Sequence, residues 1–312
     1  MNDKLFSICV LTYRNFDGIY ETLDSIFNQD YSQIELIIAD DGSPNYFEEI
    51  ELIRKYIEEN RTNNIKNVVY LHLDENQGTV RNCNNALAKS NGEYIKLFGG
   101  GDIFTSPRSI SEYVHCLDES DYNIVFAKLI GRTVKGKYKK NLASCEDDYV
   151  KLSKMSCKQL MNRLFVRNCL PAPAWCAKRE LFEKNGYFLT TVKLIEDYPY
   201  WIHLCLNEEK IGFLDEVLIE YRLDGVSSKG QYSITFMKDM FVIYNNYIFP
   251  YDKRFSIFQP IYNWLKVQGL NAYYDKARWI ELDRRQKLKS YLKYGLMYLY
   301  IWYTDMLQSI KD

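Results

Sequence analysis

Through about the first 130 residues, short apolar runs alternate with stretches in which apolar positions return every three or four residues. Phe6–Leu11, Ile34–Ala39, Val68–Leu73, Tyr94–Phe98 and Ile124–Ala127 read as buried strands, and Ile19–Phe27, Phe47–Glu58, Val80–Ala88 and Ser109–Leu117 carry the helical period. Strand and helix alternating at this spacing predict βαβ units and a mostly parallel sheet, whose strands are apolar throughout because helices cover both faces. The expected fold class is α/β. Ligands of such sheets bind beyond the carboxyl ends of the strands, which directs attention to the polar loops after Leu11, Ala39, Leu73 and Phe98.

Residues 131–170 are rich in lysine and have no clear period, as an excursion from the sheet or an acceptor-side flap would. Strand and helix signals return from Ala172 to Asp224 and end in Ile211–Leu223, one or two strands that would close the sheet. Beyond Lys229 the chain reads as helical and rich in Tyr, Trp and Phe. The expected division is a core domain over 1–228 and a helical extension over 229–312.

Composition adds exclusions. Of 312 residues, 47% are hydrophobic and 26% charged, which suits a globular core with an appendage. Forty basic residues against 41 acidic ones leave a net charge of −1, so no global field draws nucleic acid. Eight cysteines without a C-x-x-C pair predict buried, reduced thiols rather than a zinc site or disulfide frame. Met1-Asn2-Asp3-Lys4 leads straight into a strand-like run without a secretory pattern, and the apolar stretch Gly295–Tyr303 falls short of the ~20 residues a membrane span needs. A cytoplasmic chain is expected.

The chemistry-bearing residues sit at strand ends. Leu11-Thr12-Tyr13-Arg14-Asn15 closes the first strand and Ile38-Ala39-Asp40-Asp41-Gly42-Ser43 the second. An aromatic face stacks on a base and a carboxylate accepts an imide N–H, so Tyr13 with Asp40 could hold a uracil-type base; the plainer reading of Asp40 to Ser43 is a turn and helix cap. After the third strand, Gly78 and Thr79 open a helix with Arg81 in its first turn. A guanidinium beside helix N-terminal amides suits a diphosphate, and a surface arginine is the plainer alternative.

These segments, followed by Asn91-Gly92-Glu93-Tyr94-Ile95-Lys96-Leu97-Phe98-Gly99-Gly100-Gly101-Asp102, resemble in order and spacing the GT-A-fold family 2 glycosyltransferases, inverting enzymes of the bacterial surface-glycan kind. The resemblance implies a nucleotide-sugar part over 1–105, an acceptor part over 106–228, and nucleotide contacts from Thr12, Tyr13, Asp40, Asp41, Arg81, Gly101 and Asp102. It also implies a D-x-D motif at the end of the fourth strand, holding Mn²⁺ or Mg²⁺ against the donor diphosphate. Glycine stands at both acidic positions here, and only Asp102 remains. A divalent cation would then need Asp102, the diphosphate and Asp224, which replaces a family histidine in the segment Tyr221-Arg222-Leu223-Asp224. Without a metal, the leaving diphosphate would rely on Arg81, Arg222 and helix amides.

Further along, Leu194-Ile195-Glu196-Asp197-Tyr198-Pro199-Tyr200-Trp201 resembles the family's E-D motif. That makes Asp197 the expected general base and Glu196 a supporting group, although both would stabilise a helix N-terminus in any case. Trp175, in Ala172-Pro173-Ala174-Trp175-Cys176, is either a sugar platform for the acceptor or a buried core residue. His72, His115 and His203 lack metal or triad spacing and read as structural.

The implied activity is transfer of a sugar, with inversion, from a nucleotide-sugar donor, UDP-linked by analogy, to a glycan, lipid-linked or glycoprotein acceptor. The alternative is a catalytically inactive relative that binds nucleotide or glycan, having lost its metal motif. A dinucleotide-dependent oxidoreductase is excluded by the lack of G-x-G-x-x-G after the first strand, and a glycoside hydrolase gives the strand-end motifs no role. In the extension, Tyr291, Tyr294, Met297, Tyr298, Ile301 and Trp302 recur at helical spacing behind a basic cluster of Arg278, Arg284, Arg285, Lys287, Lys289 and Lys293. Residues 230–312 could pack on the catalytic domain, form a homo-oligomer, or attach peripherally to the inner face of a membrane.

Overall fold

The computed structural model describes residues 4–133, 138–139, 149–223, 233–253 and 259–295. They belong to two compact units, Met1–Leu223 and Asp224–Asp312. The first unit opens with β1 (Phe6–Thr12), α1 (Ile19–Phe27), β2 (Ile34–Asp40), α2 (Tyr46–Asn60), β3 (Ile65–His72), α3 (Thr79–Lys89) and β4 (Tyr94–Gly99). Strands β3, β2, β1 and β4 lie side by side in that order, all parallel. Every residue of β2 is buried, as a strand covered on both faces must be. The parallel arrangement brings four strand ends, and their polar loops, to one edge.

The remainder of the unit is β5 (Ile103–Phe104), α4 (Ser109–Asp118), β6 (Ile124–Arg132), β7 (Tyr138–Lys139), α5 (Tyr149–Leu152), α6 (Cys157–Leu164), β8 (Trp175–Lys178), α7 (Arg179–Asn185), α8 (Asp197–Leu206) and β9 (Ile211–Arg222). The sheet is mixed: β8 inserts antiparallel between β4 and β6, β9 runs parallel to β6, and β5 pairs antiparallel with β9. The segment expected to hold one or two strands forms a single one, Ile211–Arg222, whose register against β6 shifts at Ala127/Lys128 and Lys128/Leu129. Within 131–170, α6 begins with a capping box in which Ser156 and Gln159 satisfy each other's backbone amides. The seven described cysteines are unpaired thiols.

Lys96 is a departure from the apolar pattern of β4. It is fully buried, its Nζ donates to the carbonyl oxygens of Pro173 (2.5 Å) and Leu97 (3.3 Å), and the Phe98 ring lies 4.5 Å away. Burial pulls its pKa down to about 7. Between that value and the usual lysine range, the unfolded chain binds a proton that the folded chain does not, so stability should rise with pH across this window. Urea denaturation from pH 7 to 10 should show that rise in the natural chain and a flatter profile in Lys96→Met; parallel profiles would refute it.

In the second unit α9 (Ile234–Ile243) continues into a π-helical turn at Tyr244–Ile248, and α10 (Gln259–Ala277) is followed by a 3₁₀ turn at Trp279–Glu281 and by α11 over 284–295. Ala272 and Tyr294 are buried together with Tyr273 packed against them, while Trp264, Leu288, Tyr291 and Leu292 are exposed. Met297, Tyr298, Ile301 and Trp302 lie outside the described residues. Among the described residues no helix is long and apolar enough to cross a membrane.

Candidate active site

Parallel pairing sets Thr12, Asp40 and His72 side by side at the ends of β1, β2 and β3. Asp40 is fully buried. Its Oδ1 accepts from Thr12 Oγ1 (3.0 Å) and Ser43 Oγ (2.6 Å), and its Oδ2 from the Ser43 amide (2.7 Å) and His72 Nδ1 (2.9 Å). Four donors fill the lone pairs of a carboxylate, which leaves none for a nucleobase. The imide contact expected of Asp40 is therefore corrected: this residue supports the strand ends from beneath. Ser43 Oγ also accepts from the Arg14 amide (2.8 Å), holding Arg14 at a left-handed φ of 55°. The turn that presents Tyr13, 38% exposed, is thus anchored to Asp40 through Ser43. His72, whose ring stacks on Tyr46 at 3.9 Å, is a member of this network that sequence reading missed. Its one signal was its place at a strand end opposite Asp40.

Asp41 serves the next loop. Its Oδ1 accepts the Gln77 amide (2.8 Å), and its Oδ2 the Gly78 amide (2.9 Å) and Asn76 Nδ2 (2.7 Å). Burial is the main cause of its raised pKa. The Val80 amide donates to the Lys193 carbonyl (3.1 Å). Protein oxygens thus occupy the Gly78 and Val80 amides, two of those that open α3, which narrows the backbone part of the expected anion cradle. What remains there is the exposed Arg81 side chain in the first turn of α3.

The glycine loop closes on itself. Asp102 is 5% exposed, with Oδ1 accepting the Arg222 amide (3.0 Å) and Oδ2 the Gly99 amide (3.1 Å). The Gly101 amide donates to Thr22 Oγ1 (2.8 Å), which donates to the Asp102 carbonyl (2.8 Å). Gly101 has a φ of 109°, and a Cβ there would fall 2.4 Å from Arg222 Cδ; a Cβ on Gly18 would fall 2.2 Å from an Arg222 guanidinium nitrogen. The Arg222 side chain therefore lies against both glycines. Asp102, 5% exposed and with each oxygen holding a backbone amide, ties the loop together, and by itself it falls short of the several oxygens expected of a metal site. Asp224 lies outside the described residues, and among the described residues no group of three His, Cys, Asp or Glu could hold a metal. The described side chains do not by themselves fit a divalent cation.

Residues 186–196 are tied along α3. Asn84 exchanges hydrogen bonds with the backbone of Phe188 (2.8 and 3.0 Å), and Lys193 accepts from Val80. This brings Glu196 and Asp197, at the start of α8, alongside the first turns of α3. Asp197 is 8% exposed and its Oδ2 accepts from Asn168 Nδ2 (2.7 Å). Burial raises the Asp197 pKa, and the Asn168 bond opposes the rise. Glu196 is pushed up to about 8, first by burial and then by the Asp197 charge. In this coupled pair Asp197 ionises first and Glu196 keeps its proton near neutrality. Asn168 falls in the aperiodic stretch, where no sequence signal marked it. Trp175 is 1% exposed, walled in by Phe182, Phe188 and Trp201 at ring distances of 5.9, 6.1 and 6.2 Å. It has no open face, so the sugar platform is corrected to a core residue.

Comparison with known proteins places this geometry. The family described as Glycosyl transferase family 2 matches residues 7–186, more than half of the chain, and the chain belongs to that family. An uncharacterised glycosyltransferase of Methanocaldococcus jannaschii is 23% identical over 224 residues, covering 72% of each chain. The poly(ribitol-phosphate) beta-N-acetylglucosaminyltransferase TarS of Staphylococcus aureus is 23% identical over 220 residues, 69% of this chain and 35% of TarS. Among solved structures, TarS 1–349 with UDP-GlcNAc superposes with a TM-score of 0.60 at 17% identity, covering 94% of this chain and 80% of that one. A Pyrobaculum calidifontis mannosyltransferase with GDP-Man and Mn²⁺ gives 0.60 at 16% identity and the same coverage. The fold is GT-A, with a C-terminal helical region.

Proposed function

We propose that the chain transfers a sugar, with inversion, from a UDP-linked donor to a hydroxyl of a glycan, lipid-linked or glycoprotein acceptor, and that Asp197 is the general base. The observation that carries this reading is the Asp197 carboxylate: nearly buried, at a helix N-terminus, steadied by Asn168, and set beside the strand-end loops by the segment tied to α3. The acceptor oxygen bonds to the anomeric carbon as the bond to the diphosphate breaks, and its proton passes to Asp197. Tyr13 offers the nucleobase a stacking face. Asp41, whose Oδ1 accepts the Gln77 amide alone, takes over the imide contact first expected of Asp40. Arg81 and Arg222 face the diphosphate, and Thr12 and Gly101 line its approach. Names of neighbours crystallised with UDP-GlcNAc and GDP-Man support a nucleotide-sugar donor. Release of UDP from UDP-glucose, UDP-galactose and their N-acetyl forms tests the reading, and a chain that cleaves and binds none of them refutes it.

Glu196 provides a pH signature. A neutral Glu196 leaves Asp197 as the pair's single charge, and loss of the second proton near pH 8 adds a second negative charge beside the base. Glu196→Gln should erase any inflection near pH 8 in the rate profile and leave the acid limb governed by Asp197. A persistent inflection would dissociate Glu196 from it. For residues 230–312 the proposed roles remain homo-oligomerisation or peripheral contact with an anionic membrane, separable by light scattering and liposome sedimentation.

A further inference from the structure

Building on the donor-site reading above, we propose that the Arg222 guanidinium takes the charge-balancing place that a divalent cation would otherwise hold, so that donor binding and cleavage proceed without metal. The loop after β4 is built around this arginine. Gly101 and Gly18 are the surfaces it lies on, and a Cβ at either would collide with its side chain at 2.4 or 2.2 Å. A side chain at 101, the second acid of a D-x-D motif included, would displace it, and the φ of 109° at that position further disfavours one.

Asp102 belongs to the same device as a positioning residue. Its carboxylate accepts the backbone amides of Gly99 and of Arg222 itself, fastening the end of β9 to the end of β4. An acid used in this way fixes the arginine, and alone it is a poor site for a divalent cation. The helix N-terminus at this edge is partly engaged as well, because Asp41 and the Lys193 carbonyl hold the Gly78 and Val80 amides at the start of α3. In the reaction the bond from the anomeric carbon to the diphosphate oxygen breaks, the diphosphate takes the electron pair, and the acceptor proton goes to Asp197. The charge gained by the leaving group needs a cation beside it, and a planar guanidinium can offer two parallel N–H donors to phosphate oxygens.

Calorimetry with uridine and UDP, in EDTA and in millimolar Mn²⁺, tests this. The natural chain should bind UDP equally, within about twofold, in both conditions, and adding protein to Mn²⁺ and UDP should lower the free-ion electron paramagnetic resonance signal no further than UDP alone does. Arg222→Met should weaken UDP roughly 10–100-fold while uridine affinity, which also reports the fold, stays unchanged, and Arg222→Lys should recover part of the loss. A gain of about tenfold or more in natural-chain UDP affinity on adding Mn²⁺, or an Arg222→Met chain that binds UDP normally, overturns the proposal. A natural chain that binds neither uridine nor UDP overturns the donor-site reading, and this inference with it.

Discussion

Replacing Asp197 with asparagine should lower sugar transfer by ~10²–10⁴-fold and leave UDP affinity unchanged. The substitution is isosteric, so the side-chain oxygen can still accept from Asn168, and α8 keeps its first residue. The other oxygen becomes an NH₂ group that cannot take the acceptor proton. Removing the Asp197 charge also relieves Glu196, whose raised pKa owes its second contribution to that charge, so the Glu196 carboxyl should ionise at lower pH in the variant. Neither change weakens the nucleotide contacts assigned to Tyr13 and Asp41. Steady-state rates at saturating donor, with UDP titrations in parallel, are the measurement, and unimpaired turnover would remove Asp197 from the mechanism.

Apart from β5, the strands and helices up to residue 118 were legible because each follows one periodicity. Largely apolar runs gave β1, β2 and β4, and the three-to-four spacing gave α1 within its observed bounds, Ile19–Phe27. Pairing between distant segments was not legible. β5 is two residues long, and β8 is a four-residue strand whose antiparallel place between β4 and β6 depends on partners far away in sequence. The same divide runs through the site. The carboxylates of Asp40, Asp41 and Asp102 were recognisable as acids at strand ends, but the groups they serve were not. The donors to Asp40 include His72, a strand away, and Asp102 accepts from the Arg222 amide, 120 residues on. Local sequence could not distinguish an acid facing a ligand from one that organises the loops around it. Trp175 shows the converse, since only the rings of Phe182, Phe188 and Trp201 reveal that its faces are covered.

That distinction gives Asp40→Ala a consequence different from the loss of one ligand contact. The variant should lose about 3–5 kcal/mol of stability, comparable to breaking a buried ionic network, because Thr12, Ser43 and His72 are left with donors facing an apolar methyl. At roughly 2–4 °C per kcal/mol for a domain of this size, the melting temperature should fall by about 6–20 °C. Nucleotide binding should weaken too, but through the turn: without Asp40, Ser43 no longer holds the Arg14 amide, and the left-handed geometry that presents Tyr13 relaxes. Asp40→Asn should fall between, since one amide oxygen still accepts while its NH₂ group opposes donors on the other side. Tyr13→Ala is the control, expected to weaken UDP binding while the melting temperature changes little, as its ring is largely outside the core. Thermal melts of the three variants, with UDP titrations well below each midpoint, separate support from contact. An Asp40→Ala chain that melts like the natural one but binds UDP poorly would return Asp40 to the nucleotide pocket.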